Sequence, residues 1–341
     1  MGYAAEKKTN EEKWKKVKRI VFCVLAVLIL ALAIFSAIVP MGSWKYYFNL
    51  PTVDKREEGE LRIHYIDVGQ GDATLIELPD GKVMLVDGGN GSTPATDSVM
   101  RYLNALQIQT IDYLVVTHTD SDHCGGLQTV LDYKQVNRAF LPVVSESTTS
   151  DSYERFYSAL VKEKNCSYEQ FSRNIALGKS SSNPDCSYTL SFLYPESEDV
   201  STGKAPQQSN LASAVFWLDY NGVSALFSGD APQEVEIKLK ECAQLGLLWK
   251  EVELNSTEIY KAAHHGSSSS SNYVFLEYLH AQTAVISCGK DNAYGFPSAA
   301  VSQNLNDLGI QTYRTDLHGS ICITVKADAT YTVETLGGVA V

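Results

Sequence analysis

Residues 111–127 read IDYLVVTHTDSDHCGGL, an apolar run followed by two histidines and two aspartates and then by two glycines. The β-branched run predicts a buried strand, and the glycines lie where a helix is expected to begin. Residues 118–123 therefore lie at a strand-to-helix corner, whose rigid backbone holds their side chains together. Neutral imidazole and ionised carboxylate are ligands of catalytic divalent metals. Asp-Ser-Asp is also common in turns and helix caps. Caps do not require two histidines at fixed offsets, so the sequence favours a metal site.

Four other segments place chemical side chains at predicted turns or strand ends. Segments 67–72 (DVGQGD) and 86–89 (VDGG) are weak indications alone, because Asp and Gly are ordinary turn residues. Segment 226–230 (LFSGD) puts a carboxylate at the end of an apolar strand, where it can project as a ligand. Segment 264–267 (HHGS) adds two histidines before a serine-rich loop. Four of the seven histidines thus fall in two short segments, a clustering that random placement would rarely produce.

Length and charge limit the classes of function. A chain of 341 residues, 44% of them hydrophobic, has room for one large domain or two small ones with a substantial core. The net charge is −12, but residues 1–39 carry seven Lys or Arg against three Glu, which leaves −16 on the remainder. A domain this acidic repels polyanions unless metals or a local basic patch intervene. The charge therefore counts against avid, non-specific binding to long DNA.

The N-terminal region predicts a membrane anchor. Residues 20–39 are uncharged and almost wholly apolar, long enough for a helix to cross the hydrocarbon core. Basic residues immediately before them predict a cytoplasmic basic tail over 1–19 and an extracellular position for the rest of a single-pass cell-membrane protein. A cleaved signal peptide is the alternative, although its apolar region is usually shorter, about 7–15 residues. Residues 40–60 then form a predicted linker, and a folded domain is expected over 61–341.

Local patterns predict a mixture of strands and helices in that domain. Two regions each contain strands first and helices later, which predicts a pair of packed sheets faced by helices. The predicted strands are 61–66, 72–78, 82–86, 111–117, 188–193, 212–219, 223–227, 311–313, 320–325 and 331–334, and the predicted helices are 95–106, 233–245, 272–279 and 299–308.

The cysteines suggest disulfides without fixing them. Six of the seven lie beyond the apolar span, an even number that would face an oxidising exterior. Cys166 and Cys186 flank a loop-rich stretch and are the expected pair. Cys124, which follows His123, is expected to be a small packed residue at a helix start.

Together these motifs resemble the metallo-β-lactamase superfamily, and specifically the hydrolase domain of ComEC-type competence proteins. The resemblance covers about residues 61–326. It implies an α/β (α+β) fold, the αββα sandwich, with metals held by loops at one edge of two sheets and here preceded by one transmembrane helix. The matching segments are 67–72, 86–89, 117–123, 228–230, 264–267 and 292–297 (NAYGFP), with weaker matches at 210–214 and 315–319.

The resemblance implies metal-binding roles for individual residues. His118 and Asp120 match ligands of a first metal, and Asp122 and His123 match ligands of a second. Asp230 matches the carboxylate that bridges both ions. Two divalent metal ions are thus the implied cofactors. Zn²⁺ is expected first, and Mn²⁺ is the alternative, because Asp120 stands where many relatives have histidine and makes the first site richer in oxygen.

The remaining implied roles concern catalysis and support. His265 is the expected further ligand of the second metal, and His264 supports the ligands or faces the substrate, although which of the two binds metal is left open. Asp122 and His264 are the expected catalytic residues. The family motif has histidine where this chain has Phe296, which puts substrate and rate in doubt. Residues expected to support the ligands or contact substrate are Asp67, Gln70, Asp72, Asp87, Asn210, Ser267, Asn292 and Tyr294.

The implied chemistry is hydrolysis of an anionic phosphodiester by a hydroxide held between two metals, since coordination lowers the pKa of water to about 7. The leading interpretation is a membrane-anchored extracytoplasmic phosphodiesterase or nuclease of the ComEC type, acting on DNA. Alternatives are an enzyme for teichoic acid, phosphocholine or another envelope phosphodiester, and a non-catalytic metal-binding scaffold. One predicted span cannot conduct DNA, so uptake would require a channel partner. The oligomeric state is left open.

Overall fold

A computed structural model describes residues 2–145, 148–173, 175–178, 186–196, 201 and 205–337. The chain divides into two compact units, Met1–Phe48 and Asn49–Val341. Each unit is described separately.

The N-terminal unit is a long helix with a short continuation. Helix α1 spans Gly2–Ile38, and a 3-10 helix follows over Met41–Tyr47. Within this unit the ring of Phe35 lies 5.4 Å from that of Trp44. Among the described residues, one helical segment, Lys13–Ile38, is long and apolar enough to cross a membrane, with a mean hydropathy of 3.1. The domain boundaries at 19, 39 and 60 remain predictions.

The second unit contains an eight-stranded and a seven-stranded sheet. The order of the first is β15-β14-β1-β2-β3-β4-β5-β6, and that of the second is β13-β12-β11-β10-β9-β8-β7. The strands of the first sheet are β1 Leu61–Tyr65, β2 Thr74–Glu77, β3 Val83–Val86, β4 Thr110–Val115, β5 Gln135–Leu141, β6 Ser167–Gln170, β14 Ile321–Val325 and β15 Tyr331–Thr335. Those of the second are β7 Ala176–Leu177, β8 Thr189–Tyr194, β9 Val215–Tyr220, β10 Val223–Phe227, β11 Ile259–Lys261, β12 Thr283–Ile286 and β13 Gln311–Arg314.

Helices connect these strands and cover their outer faces. They are α2 Thr93–Ala105, α3 Ser121–Cys124, α4 Leu127–Tyr133, α5 Asp151–Leu160, α6 Gln233–Gln244, α7 Tyr273–Leu279, α8 Ala299–Asp307 and α9 Thr315–His318. Helix α2 contacts the outer face of the first sheet where Tyr102 bonds His64 of β1, their side-chain atoms 3.0 Å apart. Helices α6 to α8 pack on the second sheet around Leu239, Phe275 and Val301.

The main core lies between the two sheets and is rich in aromatic rings. Inward residues of both sheets form one cluster, because alternate residues of a strand point to the same face. Phe216 of β9 and Phe227 of β10 stack with ring centres 4.5 Å apart, and Tyr65 of β1 lies 6.4 Å from Phe227 across the sheets. Burial of such rings removes about 150–250 Å² each from water, which makes this interface the dominant source of stability.

The predicted αββα sandwich is confirmed, and most predicted elements lie within a few residues of their observed bounds. Strands β5, β6, β7 and β12 and helix α5 were not predicted, whereas β11 corresponds to the strand expected before His264. These segments are short or lack clean alternation, and tertiary pairing rather than local pattern fixes them.

The expected Cys166–Cys186 disulfide is wrong, since none of the seven cysteines forms a disulfide. Cys166 precedes edge strand β6 of the first sheet, whereas Cys186 precedes β8 of the second. Their neighbouring strands therefore belong to different sheets. Cys124 is buried at the end of α3, as expected for a small packed residue.

Candidate metal centre

The predicted site residues follow the ends of strands in both sheets. Asp87 comes directly after β3, and residues 117–123 come after β4 in the first sheet. Asp230 follows β10, and His264 and His265 follow β11 in the second. Strands β3 and β4 are parallel, as are β10 and β11, so each pair ends at one edge of its sheet. The two edges meet, which brings side chains 100 or more residues apart into contact.

Asp230 lies at the centre of this site, among four histidines. Its Oδ1 lies 3.2 Å from Nε2 of His123, and its Oδ2 lies 3.7 Å from Nε2 of both His118 and His265. His264 presents its own Nε2 to the same Oδ2 at 3.6 Å. Four imidazoles thus direct the same ring nitrogen toward one buried carboxylate.

Two further carboxylates lie toward solvent on the same centre. Asp122 Oδ2 is 3.2 Å from Nε2 of His265, and Asp120 Oδ2 is 3.7 Å from Nε2 of His118. Their side chains are 31% and 42% exposed, whereas those of His118 and His265 are at most 1% exposed. The centre is therefore buried on the histidine side and open on the side of these two aspartates.

A network behind the centre fixes the histidine rings. Asp87 accepts hydrogen bonds from Thr117 N and Oγ1 at 2.8 and 2.7 Å and lies 2.8 Å from Nδ1 of His123. The backbone carbonyl of Ser287 lies 2.9 Å from Nδ1 of His265. Partners of this kind fix which ring nitrogen carries the proton and where the other points. These hydrogen bonds leave Nε2 of His123 and Nε2 of His265 facing Asp230.

A buried ion pair supports the same network from the second sheet. Lys261 Nζ donates to Asp72 Oδ2 at 2.9 Å, with side chains only 4% and 6% exposed. The two oxygens of Asp72 lie 3.9 Å from Nδ1 of His123 and of His265. Asp72 therefore contacts the rear of these rings, and Lys261 balances its charge.

The backbone is strained where it carries the histidine pair. His264 and His265 have φ of 50° and 55°, in the left-handed region that non-glycine residues rarely adopt. Such conformations cost of order 1–3 kcal/mol each and collect at functional sites. The turn places adjacent side chains toward one centre, which extended or right-handed helical backbone would not do.

The donor set fits divalent cations. Among the described residues, Nε2 of His118 and Oδ1 of Asp230 are buried atoms with no partner in hydrogen-bond geometry. A buried polar atom without a partner is costly, so such atoms indicate a missing ligand. Side-chain atoms of Asp72, His123, Asp230 and His265 also lie within 4.8 Å of one another. Within that group we assign Asp72 to support rather than to coordination, because Lys261 occupies its Oδ2.

Charge interactions within the centre set the protonation states. Burial would raise the pKa of Asp230, but His123 and His265 hold it well below its usual range. Burial also opposes ionisation of Asp122, yet the hydrogen bond from His265 and the charge of His123 lower its pKa to about 2. Burial lowers the pKa of His264 against the pull of Asp230. At neutral pH the carboxylates are therefore ionised and His264 is neutral. Burial lowers the pKa of His123 and of His265, but the charge of Asp230 outweighs it and raises both. A metal ion bound by these two rings would displace their protons.

The other predicted residues lie around the centre in different ways. Asn210 Nδ2 is 3.5 Å from Nδ1 of His264. Ser267 bonds Ser269, whose hydroxyl in turn lies 3.0 Å from Nδ1 of His264. Asp67 accepts from Gly69 N within its own loop at 3.0 Å. Its side chain has no described bond to residues 118–123.

The remaining three predicted positions lie in neighbouring loops. Gln70 Oε1 accepts from Gly289 N at 3.1 Å, which ties segment 67–72 to the loop after β12. Asn292 bonds the backbone of that loop, and Tyr294 is exposed at its tip.

Sequence reasoning missed Lys261, Thr117's side chain and the carbonyl of Ser287. The signal for Lys261 was present, because a lysine inside an apolar strand directly before HHGS requires a buried anion as its partner. The contributions of Thr117 and Ser287 come from a common hydroxyl and a backbone group, and no sequence pattern marks them.

The fold and the centre define a class of metal-dependent hydrolase. The family model described as the metallo-beta-lactamase superfamily matches residues 66–290, and the chain belongs to this superfamily. Its curated relatives include "ComE operon protein 3" of Bacillus subtilis (strain 168), 29% identical over 279 residues. "Competence protein ComA" of Neisseria gonorrhoeae is 26% identical over 265 residues. Each match covers 77% of this chain but only 33% and 32% of the relative, so the chain spans about a third of their length.

Solved structures with a similar fold have low sequence identity. Igni18, a metallo hydrolase from Ignicoccus hospitalis, is 11% identical and covers 80% of this chain and 98% of its own, with a TM-score of 0.44. A diphosphatase from the PhnP family is 14% identical and covers 78% of this chain and 98% of its own, with a TM-score of 0.43.

Proposed function

We propose that this protein is a membrane-anchored, extracytoplasmic phosphodiesterase that uses two divalent metal ions to hydrolyse nucleic acid. The observation that carries the proposal is the buried carboxylate of Asp230, which four imidazole Nε2 atoms face within 3.7 Å. Similarity to competence proteins supports a nucleic-acid substrate.

The ligands divide into two groups around Asp230. His118 and Asp120 lie together on one side and would hold the first ion. Asp122, His123 and His265 lie together on the other side and would hold the second. Asp230 faces both groups and would contribute a carboxylate oxygen to each.

When bound, such a pair of ions supplies Lewis acidity for a phosphoryl oxygen and lowers the pKa of an attacking water to about 7. The protein contributes position and charge. Asp87 and the Ser287 carbonyl hold the rings of His123 and His265 in place. Asp122 remains ionised at neutral pH and is partly exposed, so it can accept a hydrogen bond from the attacking water. His264 lies at the open side and would contact the substrate phosphate.

The donor set favours Zn²⁺, with Mn²⁺ as the alternative. Three imidazoles suit zinc, whereas the three aspartates around them also suit harder ions. The metal content of the purified protein, measured after dialysis, distinguishes Zn²⁺ from Mn²⁺. We expect two ions per chain, and a protein that retains none would exclude the proposal.

Hydrolysis assays with purified substrates test the activity itself. We expect cleavage of a labelled single-stranded DNA oligonucleotide that Asp230→Asn abolishes together with metal binding. Asp132→Asn, an exposed aspartate on α4, is the control and should leave both unchanged. Metal binding without hydrolysis of any phosphodiester would instead support a non-catalytic scaffold.

An envelope phosphodiester is the second candidate substrate. The net charge of −16 beyond residue 39 disfavours avid contact with a long nucleic acid, and a smaller phosphodiester substrate fits such a charge at least as well. Purified teichoic acid, assayed beside the oligonucleotide, separates the two. Faster release of product from teichoic acid would contradict the nucleic-acid assignment.

The anchor and its orientation also belong to the proposal. Basic residues before the apolar helix support a cytoplasmic N-terminus. Alkaline phosphatase fused after residue 60 should be active only if residues beyond the helix lie outside the cytoplasm. An N-terminal tag that remains on the membrane-bound protein would distinguish an uncleaved anchor from a signal peptide. A channel or uptake partner belongs to the same proposal, and co-purification under crosslinking would identify it.

A further inference from the structure

The aromatic side chain of Tyr294 is exposed to solvent near the histidines of the candidate metal centre. Tyr294 is 69% exposed, at the tip of the loop between β12 and α8. Its ring stacks on Phe296, with centres 5.5 Å apart and planes inclined by 15°. Phe296 in turn lies 5.6 Å from the ring of His264 and 6.3 Å from that of His265. A continuous row of rings therefore leads from the metal centre to solvent.

The loop that carries this ring is held in place. Asn292 Oδ1 accepts from the backbone N of Tyr294 and of Phe296 at 3.2 and 3.0 Å. Its Nδ2 donates to the carbonyls of Gly289 and Phe296 at 2.9 and 2.7 Å. The backbone of Ser298 bonds the carbonyl of Gly266, next to the histidine pair, at 2.9 Å. Exposure of Tyr294 is thus a fixed feature of an ordered loop.

One face of the Tyr294 ring rests on Phe296, and the exposure of the residue leaves the other available. A single open aromatic face matches a planar ligand, since base–aromatic stacking contributes about 1–3 kcal/mol and tolerates any base. Glycerol or ribitol phosphate has no planar group. Quaternary ammonium groups are bound by cages of several rings, and one open face does not form a cage.

We propose that Tyr294, supported by Phe296, is the stacking platform for an unpaired nucleobase next to the phosphodiester bound at the metal centre. The inference rests on the proposed function and specifies its substrate as single-stranded nucleic acid. Bases of a duplex are already stacked on one another, so a duplex does not offer a free face. Tyr294 is a specificity residue and takes no part in the chemical step.

Binding of two oligomers that differ only in their bases tests the platform. Anisotropy would give the Kd of a labelled phosphorothioate single strand and of an abasic strand with the same backbone, at equal metal concentration. We expect Tyr294→Ala to raise the Kd of the strand with bases at least about fivefold and to leave that of the abasic strand unchanged. Tyr294→Phe should retain wild-type affinity. Tyr168→Ala removes an exposed tyrosine on edge strand β6 and should change neither Kd.

The outcomes separate the platform from the activity. If wild-type protein hydrolyses DNA and Tyr294→Ala binds both strands as wild type does, the platform is excluded and the phosphodiesterase stands. If Tyr294→Ala weakens only the strand with bases while no DNA is hydrolysed, the platform stands and the nuclease fails. Preferential loss of phosphocholine binding in Tyr294→Ala would overturn the nucleobase assignment. Fluorescence of Tyr294→Trp, quenched by the strand with bases but not by the abasic one, is a readout independent of turnover.

Discussion

At the scale of single residues, the centre depends on charges that are buried and balanced. Lys261 and Asp72 form an ion pair almost without solvent contact, directly behind two histidines that face Asp230. A buried pair contributes little net stability by itself, because desolvation offsets attraction. Removing one partner is costly, since the other charge remains buried alone. Lys261 therefore matters for stability although it faces away from the Nε2 side of the rings.

Lys261→Met should lower the free energy of unfolding by about 3–5 kcal/mol, because it leaves the Asp72 carboxylate buried without its cation. Denaturant unfolding measures the loss. Lys82→Met is the matched control: Lys82 pairs with Asp80 at the same 2.9 Å, but its side chain is 46% exposed. Pairs of that kind contribute at most about 1 kcal/mol. Equal losses in the two variants would contradict the account of Lys261.

At the scale of elements, close backbone contacts fix the loop of residues 118–123. A Cβ at Gly126 would lie 2.1 Å from the carbonyl oxygen of Gly88, so the start of α4 can approach the loop after β3 only because residue 126 is glycine. The backbone of Gly88 also donates to the carbonyl of His123 at 2.7 Å. The position of residues 118–123 thus depends on the contact between the start of α4 and the loop after β3, as well as on the turn that these residues form.

Gly126→Ala should destabilise the protein by roughly 1–3 kcal/mol and weaken metal binding, because the new methyl group pushes the two loops apart. Gly246→Ala is the control. Gly246 has φ of +67°, but its Cβ would meet nothing within 4 Å, so only backbone strain is added. Isothermal titration with Zn²⁺ should show weaker binding in Gly126→Ala alone. Unchanged affinity there would exclude a role for this contact in positioning the ligands.

A buried carboxylate of α6 contacts the start of α7. Glu236 of α6 accepts from the backbone N of Ser271 and Asn272 at 2.6 and 3.2 Å and from Nδ2 of Asn272 at 2.7 Å. Burial raises its pKa from 4.5 to about 7, although these hydrogen bonds favour the ionised form. The Glu236 carboxyl of the folded protein therefore gains or loses its proton near neutral pH.

Stability should consequently fall as the pH rises from about 4.5 to about 7, by up to roughly 3 kcal/mol from this group. Between these values the unfolded chain has lost the Glu236 proton and the folded chain retains it, so raising the pH favours unfolding. Glu236→Gln should flatten the dependence of the unfolding free energy on pH by up to one proton. Glu234→Gln, an exposed neighbour on α6, should keep the wild-type slope. A slope unchanged in Glu236→Gln would show that the carboxyl titrates near its ordinary value.

At the scale of the whole molecule, the second unit is held together by packing between two sheets and by outer helices, without disulfides. The aromatic core extends across both sheets, and none of the seven cysteines forms a disulfide. A disulfide between Cys166 and Cys186 would add about 3 kcal/mol to the free energy of unfolding, enough to raise Tm by several degrees. The protein should thus give the same Tm with and without dithiothreitol. A lower Tm in reductant would show a disulfide absent from this structure.

Part of this architecture could be predicted from the sequence, because the decisive signals are local. The strand and cluster at 111–123 and the carboxylate at the end of β10 are consecutive residues, and their type alone indicates metal ligands. The apolar run at 20–39 needs only length and composition. By contrast, β5, β6 and β12 have weak local patterns, and pairing with neighbouring strands determines them.

The sequence by itself therefore determined the superfamily, the sandwich and the residue types of the metal centre. Only the tertiary structure decided how they meet: that His118, His123, His264 and His265 all face Asp230, and that Lys261 and Asp87 hold the rings from behind. It also placed Tyr294 at the end of a row of rings that begins at the histidines. The physical reason is that ligand chemistry belongs to single side chains, whereas distances between two sheet edges follow from packing of the whole core.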